Sequence, residues 1–206
     1  MLTILDNPLV QRDITVLRDK STPPSRFRDA MQRVAIALAL ESARFVYTRT
    51  LRVETPLEET EGHEIAHDIV LLPVLRAGMS LVQAFSLLMP EARIGYIGLQ
   101  RDEETLATQE YYCSIPPLHP DSLVFLLDPM LATGGSVRFA LQRLEQRGAH
   151  RIVVISVIAA PEGIQHIEQF YPHIHIVVSA LDRCLNEHGF IMPGLGDAGD
   201  RYHGTL

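Results

Sequence analysis

An α/β fold, with a mostly parallel twisted sheet covered by helices on both faces, is what this sequence predicts, and two observations carry the prediction. The runs DIVLLPVL, SLVFLLD, RIVVISVIAA and HIHIVVSALD are apolar at nearly every position. A half-exposed strand alternates apolar and polar residues, so unbroken runs belong to strands buried on both sides. Stretches with helical spacing or helix punctuation lie between these runs, and that alternation builds parallel sheets.

The elements follow in order. TPPSRFRDAMQRVAIALALESARFVYTR starts with a Thr-Pro-Pro signal and sets Met31, Val34, Ala35, Leu38 and Ser42 along one face, which predicts a long amphipathic N-terminal helix. RVETPLEET reads as a polar, extended connection. AGMSLVQAFSLLMP is a helix and ARIGYIGLQ a strand. RDEETLATQEYY is polar and without period, so it is a loop entering a short hairpin strand near Tyr111. GGSVRFALQRLEQRG is a helix closed by Gly148, and PEGIQHIEQFYP a helix with proline in its first turn. After Asp182 the pattern stops. RCLNEHGFIMPGLGDAGDRYHGTL is too polar for core and too organised in its turns for a frayed tail, which makes it a hood over a site. One domain spans 1–206: a helix and connector to residue 66, an α/β core over 67–182, and a C-terminal segment over 183–206.

Composition narrows the function. The formal charge is −7, from 18 basic and 25 acidic residues. That argues against nucleic acid or a membrane surface as the main partner. Cys113 and Cys184 fit no metal-ligand spacing and read as free thiols. MLTILDNPLVQRD has an early Asp and no long apolar stretch, so no signal peptide is expected and a cytoplasmic protein is the default.

Two motif matches fail on context. HEIAH, residues 63–67, has the zincin spacing, which requires both imidazoles on one helical face. Here the match runs into the strand DIVLLPV, and a strand sets residues four apart about 13 Å from each other, at ~3.3 Å per residue. GLGDAG, residues 194–199, matches G-x-G-x-x-G, yet only seven residues follow Gly199, too few for a βαβ unit.

FLLDPMLATGGS survives. Asp128 to Ser136 lies between a strand and a helix inside a βαβ unit, where open α/β sheets bind ligands. The glycines let successive N–H groups point into one concavity, Thr133 and Ser136 add hydroxyls, and the helix N-terminus adds partial positive charge, which together cradle a phosphate. No Gly-Lys-Ser/Thr follows, so this is not a nucleoside triphosphatase loop. Asp128 sits one loop from the phosphate, at the distance of sugar hydroxyls. The other reading of the same residues is a glycine-rich turn with Asp128 as a polar strand end.

This stretch resembles the phosphoribosyl-diphosphate loop of the uracil phosphoribosyltransferases. VETPL, VLRAG, RDEETL, EYY, AAPEG and LNEHGFIMPGLGDAGDRYHGT also resemble segments of that family, in order, from Asn7 to Thr205. The resemblance implies transfer of ribosyl 5-phosphate from phosphoribosyl diphosphate (PRPP) to N1 of uracil, giving UMP and diphosphate. It implies that Asp128, Pro129, Met130, Leu131, Ala132, Thr133, Gly134, Gly135 and Ser136 hold the ribose hydroxyls and the 5-phosphate. Arg76 and Arg101 would contact the diphosphate. Ile191, Gly196, Asp197 and Ala198 would read the uracil, with Asp197 also near the phosphoribosyl group. Arg101, Asp128 and Asp197 are the catalytic candidates. Taken alone, Arg76 and Arg101 are solvated strand-end arginines; after two neighbouring strands they form a clamp for a multiply charged leaving group.

Magnesium is expected to arrive with PRPP rather than on protein side chains. A homodimer or larger assembly and a GTP effector come with the resemblance. Residues 102–112 have the composition of a lid. The chain departs from the family pattern at Gln100, where relatives commonly carry tyrosine, and in NPLVQRD, which lacks basic residues common there. The competing class is a module of the same fold that senses a nucleotide without turnover.

Overall fold

The computed structural model describes residues 1–101 and 108–205. Strand β1 (Leu2–Ile4) leads into helix α1 (Pro8–Arg18), whose start is set by Asn7. The Asn7 carboxamide oxygen accepts from the N–H of Leu9 at 2.9 Å, and Pro8 occupies the first turn, where no donor is needed. Helix α2 (Pro24–Ser42) again opens on proline and buries Phe27, Met31, Val34, Ala35 and Leu38 on one face. A 3₁₀ turn (Ala43–Phe45) then ends it short of the expected Arg49.

Strands β2 (Thr48–Glu54) and β3 (Glu59–Ile65) pair as an antiparallel hairpin. This corrects the polar connection expected over RVETPLEET. It also puts His63 in a strand, paired with Thr50, rather than on a helix. The chain continues through β4 (Ile69–Leu75), α3 (Met79–Leu88), β5 (Arg93–Ile94) and β6 (Tyr96–Arg101). ARIGYIGLQ is thus two strands, broken at Gly95. Strand β7 (Thr108–Ser114) is a full seven-residue strand, longer than the short one expected near Tyr111. The lid expected over 102–112 falls, up to residue 107, outside the described residues.

Strands β8 (Leu123–Leu127) and β9 (Met130–Leu131) precede α4 (Gly135–Gln146). Then come β10 (Arg151–Ala159), α5 (Pro161–Phe170) and β11 (His175–Leu181). The C-terminal segment holds β12 (Cys184–Leu185), β13 (Ile191–Met192) and α6 (Ala198–His203).

The main sheet has the order β1-β11-β10-β8-β4-β6-β7. Neighbours run parallel except β6 and β7. Strand β8 shows why its sequence lacks alternation. Leu123, Phe125 and Leu127 pack with Leu17, Phe27, Met31 and Phe85 of α1–α3 on one face. Val124 and Leu126 pack with Leu141, Leu144, Ile164 and Ile167 of α4 and α5 on the other. Each such side chain contributes about 1.5–3 kcal/mol by leaving water. The carboxyl ends of β4, β8 and β10 are thereby held side by side.

Candidate active site

The cradle grows out of the end of β8. The Asp128 N–H donates to Ile155 O at 3.0 Å, and Pro129 O accepts from Val157 and Ile158 of β10. The Ala160 N–H donates to Leu131 O at 2.9 Å, so the loop is laced to β10 along its length. The chain then has to turn into α4, and Gly134 does so at φ +81°, a left-handed conformation that glycine adopts without strain. Gly135 begins the helix, Thr133 Oγ1 accepts from its N–H at 3.4 Å, and the first helical residues, Gly135 to Val137, line the concavity at the positive end of α4. Asp128, Met130 to Val137 and Gly189 line a cavity of ≈ 240 Å³. The structure thus brings Asp128 to Ser136 together as expected, apart from Pro129, which is buried beside the cavity rather than on its wall.

The acid of the cradle has an unusual setting. Asp128 is only 8% exposed. Burial pushes its carboxyl up to about 7, against a weak opposing pull from the Met130 N–H at 3.5 Å. A carboxyl that titrates near neutrality gains its charge readily when a cation or sugar hydroxyls arrive, and the dry surroundings strengthen that interaction.

A second cavity adjoins the first. Ala77, Met130, Ala132, His188 to Ile191 and Gly196 to Gly199 line it, and Met130, Ala132 and Gly189 belong to both. Ile191, Gly196, Asp197 and Ala198 all border it. Asp197 caps α6, its Oδ1 accepting from the Asp200 N–H at 2.9 Å. Arg76 follows β4, and its Nη2 donates to Asp200 Oδ1 at 2.9 Å. The same oxygen accepts from Thr205 Oγ1 at 2.6 Å, and these bonds, Thr205's first, hold the Asp200 carboxyl below its usual range. Arg101 ends β6, the strand next to β4, so the two arginines do follow neighbouring strands. The side chain of Arg101 lies outside the described part.

Sequence reasoning missed Ala77, His188, Gly189 and Phe190 as cavity walls, and it missed Gly163. A Cβ on Gly163 would stand 2.3 Å from Ala132 O and 2.9 Å from Leu131 O. The first turn of α5 therefore touches the back of the cradle, and only a bare backbone fits. Its signal was present in AAPEG, a glycine inside a helix where alanine is worth up to 1 kcal/mol more.

Comparison with known proteins bears on this site. The family model for uracil phosphoribosyltransferase matches residues 4–205. A uracil phosphoribosyltransferase from Salinibacter ruber is 44% identical over 204 residues, covering 99% of this chain and 97% of that one. The Fervidobacterium nodosum enzyme of the same name is 44% identical over 206 residues, covering both chains completely. Among solved structures, a protein from Aquifex aeolicus superposes with a TM-score of 0.93 at 33% identity, covering 98% of each chain. An adenine phosphoribosyltransferase from Trypanosoma brucei shares the fold, with a TM-score of 0.61 at 14% identity over 91% of this chain and 87% of that one.

Proposed function

The chain belongs to the uracil phosphoribosyltransferase family, whose reaction joins uracil to the ribosyl 5-phosphate of PRPP, and we propose that its two adjoining cavities divide that work. The observation that carries the proposal is their shared wall of Met130, Ala132 and Gly189, with Asp128 in one cavity and the Ile191 and Gly196–Ala198 backbone in the other.

The α4 N-terminus and the Thr133 and Ser136 hydroxyls take the 5-phosphate, and the Asp128 carboxylate accepts from the ribose hydroxyls. Arg76 and Arg101 meet the diphosphate and stabilise the charge that grows as it leaves. As the C1–diphosphate bond breaks, the ribose becomes oxocarbenium-like, and Asp128 stabilises it through the hydroxyls. Uracil offers acceptors at O2 and O4 around a donor at N3. Backbone groups of Ile191 and Gly196 to Ala198 match that pattern, which cytosine reverses at two positions. N1 then bonds to C1 and its proton is lost to solvent.

With Asp128 as the one acid lining the first cavity, magnesium would enter on the diphosphate of PRPP rather than on a set of protein side chains. When bound, magnesium would neutralise charge on the leaving group. The proposal extends to a homodimer, to GTP as an effector and to a cytoplasmic location. The β2–β3 hairpin leaves most of both faces in water and carries Leu57 at 95% exposure at its turn, a feature suited to a second copy. No helix among the described residues is long and apolar enough to cross a membrane, and Cys113 and Cys184 are free thiols, as a reducing compartment maintains them.

The deciding experiment mixes the protein with uracil, PRPP and magnesium and follows UMP. UMP that disappears when any one component is omitted supports the reading. Tight UMP binding without turnover would return the chain to the nucleotide-sensing class. Sedimentation, and rates with and without GTP, test the assembly and the effector.

A further inference from the structure

Two arginines from outside both cavities grip the backbone that leads into the base-reading turn. Arg18 is the last residue of α1. Its guanidinium lies across the buried Asp182 as a two-pronged pair, Nη1 to Oδ2 at 2.9 Å and Nη2 to Oδ1 at 2.5 Å. The same Nη1 donates to Gly194 O at 2.9 Å, while Asp182 Oδ2 accepts the Gly194 N–H at 2.9 Å. Both backbone polar groups of Gly194 are thus taken by side chains 176 and 12 residues away. Asp182 is itself anchored to the sheet, its N–H donating to Ala159 O at 2.8 Å at the end of β10.

Arg201 completes the grip from α6. It is 9% exposed, with its guanidinium 4.5 Å from the centre of the Phe27 ring. Its Nη1 donates to Leu195 O at 2.7 Å and to Leu17 O, and its Nη2 donates to Asp19 O at 2.6 Å. The carbonyls at the end of α1 thereby receive a cation, the charge a helix C-terminus favours.

The stretch so held is intrinsically loose. Gly194 and Gly196 sit at φ +65° and +78°, and glycine there restricts an unfolded chain least. Reading a base by backbone groups requires them to stay within about 0.5 Å of the productive position. We propose that Arg18 and Arg201 are positioning residues for the base: with Asp182 they tie the end of α1 to residues 194–195 and so set where Gly196, Asp197 and Ala198 present their backbone. The inference rests on the uracil reading above. It explains why a helix that lines neither cavity ends on an arginine bonded to the C-terminal segment.

The test compares wild type with Arg18→Ala and Arg18→Lys in steady-state UMP formation, varying each substrate in turn, with amide hydrogen exchange followed over residues 191–200. In Arg18→Ala the uracil KM rises about tenfold while the PRPP KM stays within about twofold, because the bonds lost, to Asp182 and to Gly194 O, bear on residue 194 and not on the Asp128–Ser136 loop. Protection of the 194–198 amides falls about tenfold in the same variant. Arg18→Lys recovers part of both losses, since the point charge returns without the fork. A uracil KM within twofold of wild type, or equal rises for both substrates, overturns the assignment. Should Arg18→Ala fail to fold, Arg18→Lys carries the comparison, with a uracil-selective rise of about threefold expected and a non-selective response counting against it. A wild type that makes no UMP would sink the uracil reading instead; unchanged protection at 194–198 in the variant would then still refute the grip.

Discussion

The phosphate cradle and the base-reading segment border cavities that share three lining residues, and they are built by opposite means. The cradle is shaped by its own backbone: a left-handed Gly134, a helix that starts at Gly135, and carbonyls laced to the next strand. The base-reading segment has two-residue strands, a six-residue helix and glycine turns, too little structure to hold itself. Side chains hold it, several of them from distant parts of the chain. Glu162 accepts from the Leu185 N–H at 2.9 Å, Arg18 and Asp182 take Gly194, Arg201 takes Leu195, and Arg76 takes Asp200. A phosphate can be bound by what a helix N-terminus offers unaided. A flat, uncharged base requires an irregular backbone shape, and that shape has to be imposed from elsewhere.

The largest expected effect tests the cradle's self-sufficiency. Asp128→Asn keeps the shape but removes the charge proposed to face the ribose, so kcat/KM falls about tenfold to a hundredfold, the worth of one charged hydrogen bond. The wild-type profile should lose activity as pH drops below about 7, where the carboxyl takes its proton, and the variant should lack that limb. Stability moves the other way. The folded carboxyl titrates at about 7 against 3.8 for the ordinary group, so the folded state binds the proton more tightly across that window. Stability therefore declines as pH rises from about 4 to about 7. Asp128→Asn escapes the cost and should exceed wild type by on the order of 2–4 kcal/mol at pH ~8, with near parity at pH ~4, by urea unfolding. A flat wild-type activity profile would remove the acid from the reaction. Equal unfolding curves at pH ~8 would mean that its burial costs nothing.

Gly163→Ala probes the cradle from behind. Its Cβ must displace the Ala132 carbonyl, and overpacking of this kind costs about 1–3 kcal/mol. The expected outcome is a PRPP KM raised about tenfold with the uracil KM within about twofold, because the strain falls on the loop proposed to carry the phosphate. If both KM values rose together, the two regions would behave as one unit and the contrast between them would fail.

How far each region could be read before its structure follows the same division. Strands β4, β8, β10 and β11 were legible because burial on both faces leaves long apolar runs, and the cradle because its devices are adjacent in sequence. The β2–β3 hairpin was not, since with most of both faces in water no alternation forms. Helix α1 carries a readable start, Asn7-Pro8 with Val10, Ile14 and Leu17 behind it, whereas the three-residue β1 is too short to show a period. The long-range supports of the base-reading segment had no local trace. Arg18 and Asp182 are 164 residues apart, and Arg201 bonds to carbonyls, which every residue carries.

The smallest effect concerns the second acid, Asp197, and separates two duties that one side chain holds. Its carboxylate caps α6 through the Asp200 N–H, and the resemblance to the family implies a place near the phosphoribosyl group as well. Asparagine caps a helix as well as aspartate does, so Asp197→Asn keeps the cap and removes only the charge. Alanine removes both. Because Asp197 is exposed, its charge acts through water, where a unit pair at 4 Å is worth about 1 kcal/mol. Asp197→Asn should therefore lower kcat/KM about fivefold with no change in urea midpoint. Asp197→Ala should add about 1 kcal/mol of lost stability and a further rise in uracil KM, as α6 frays and loosens Arg201. Wild-type turnover in Asp197→Asn would confine this acid to capping. Full stability in Asp197→Ala would show that the grip of Arg201 holds α6 without its cap, and so would carry the contrast with the self-built cradle further than the cap allows.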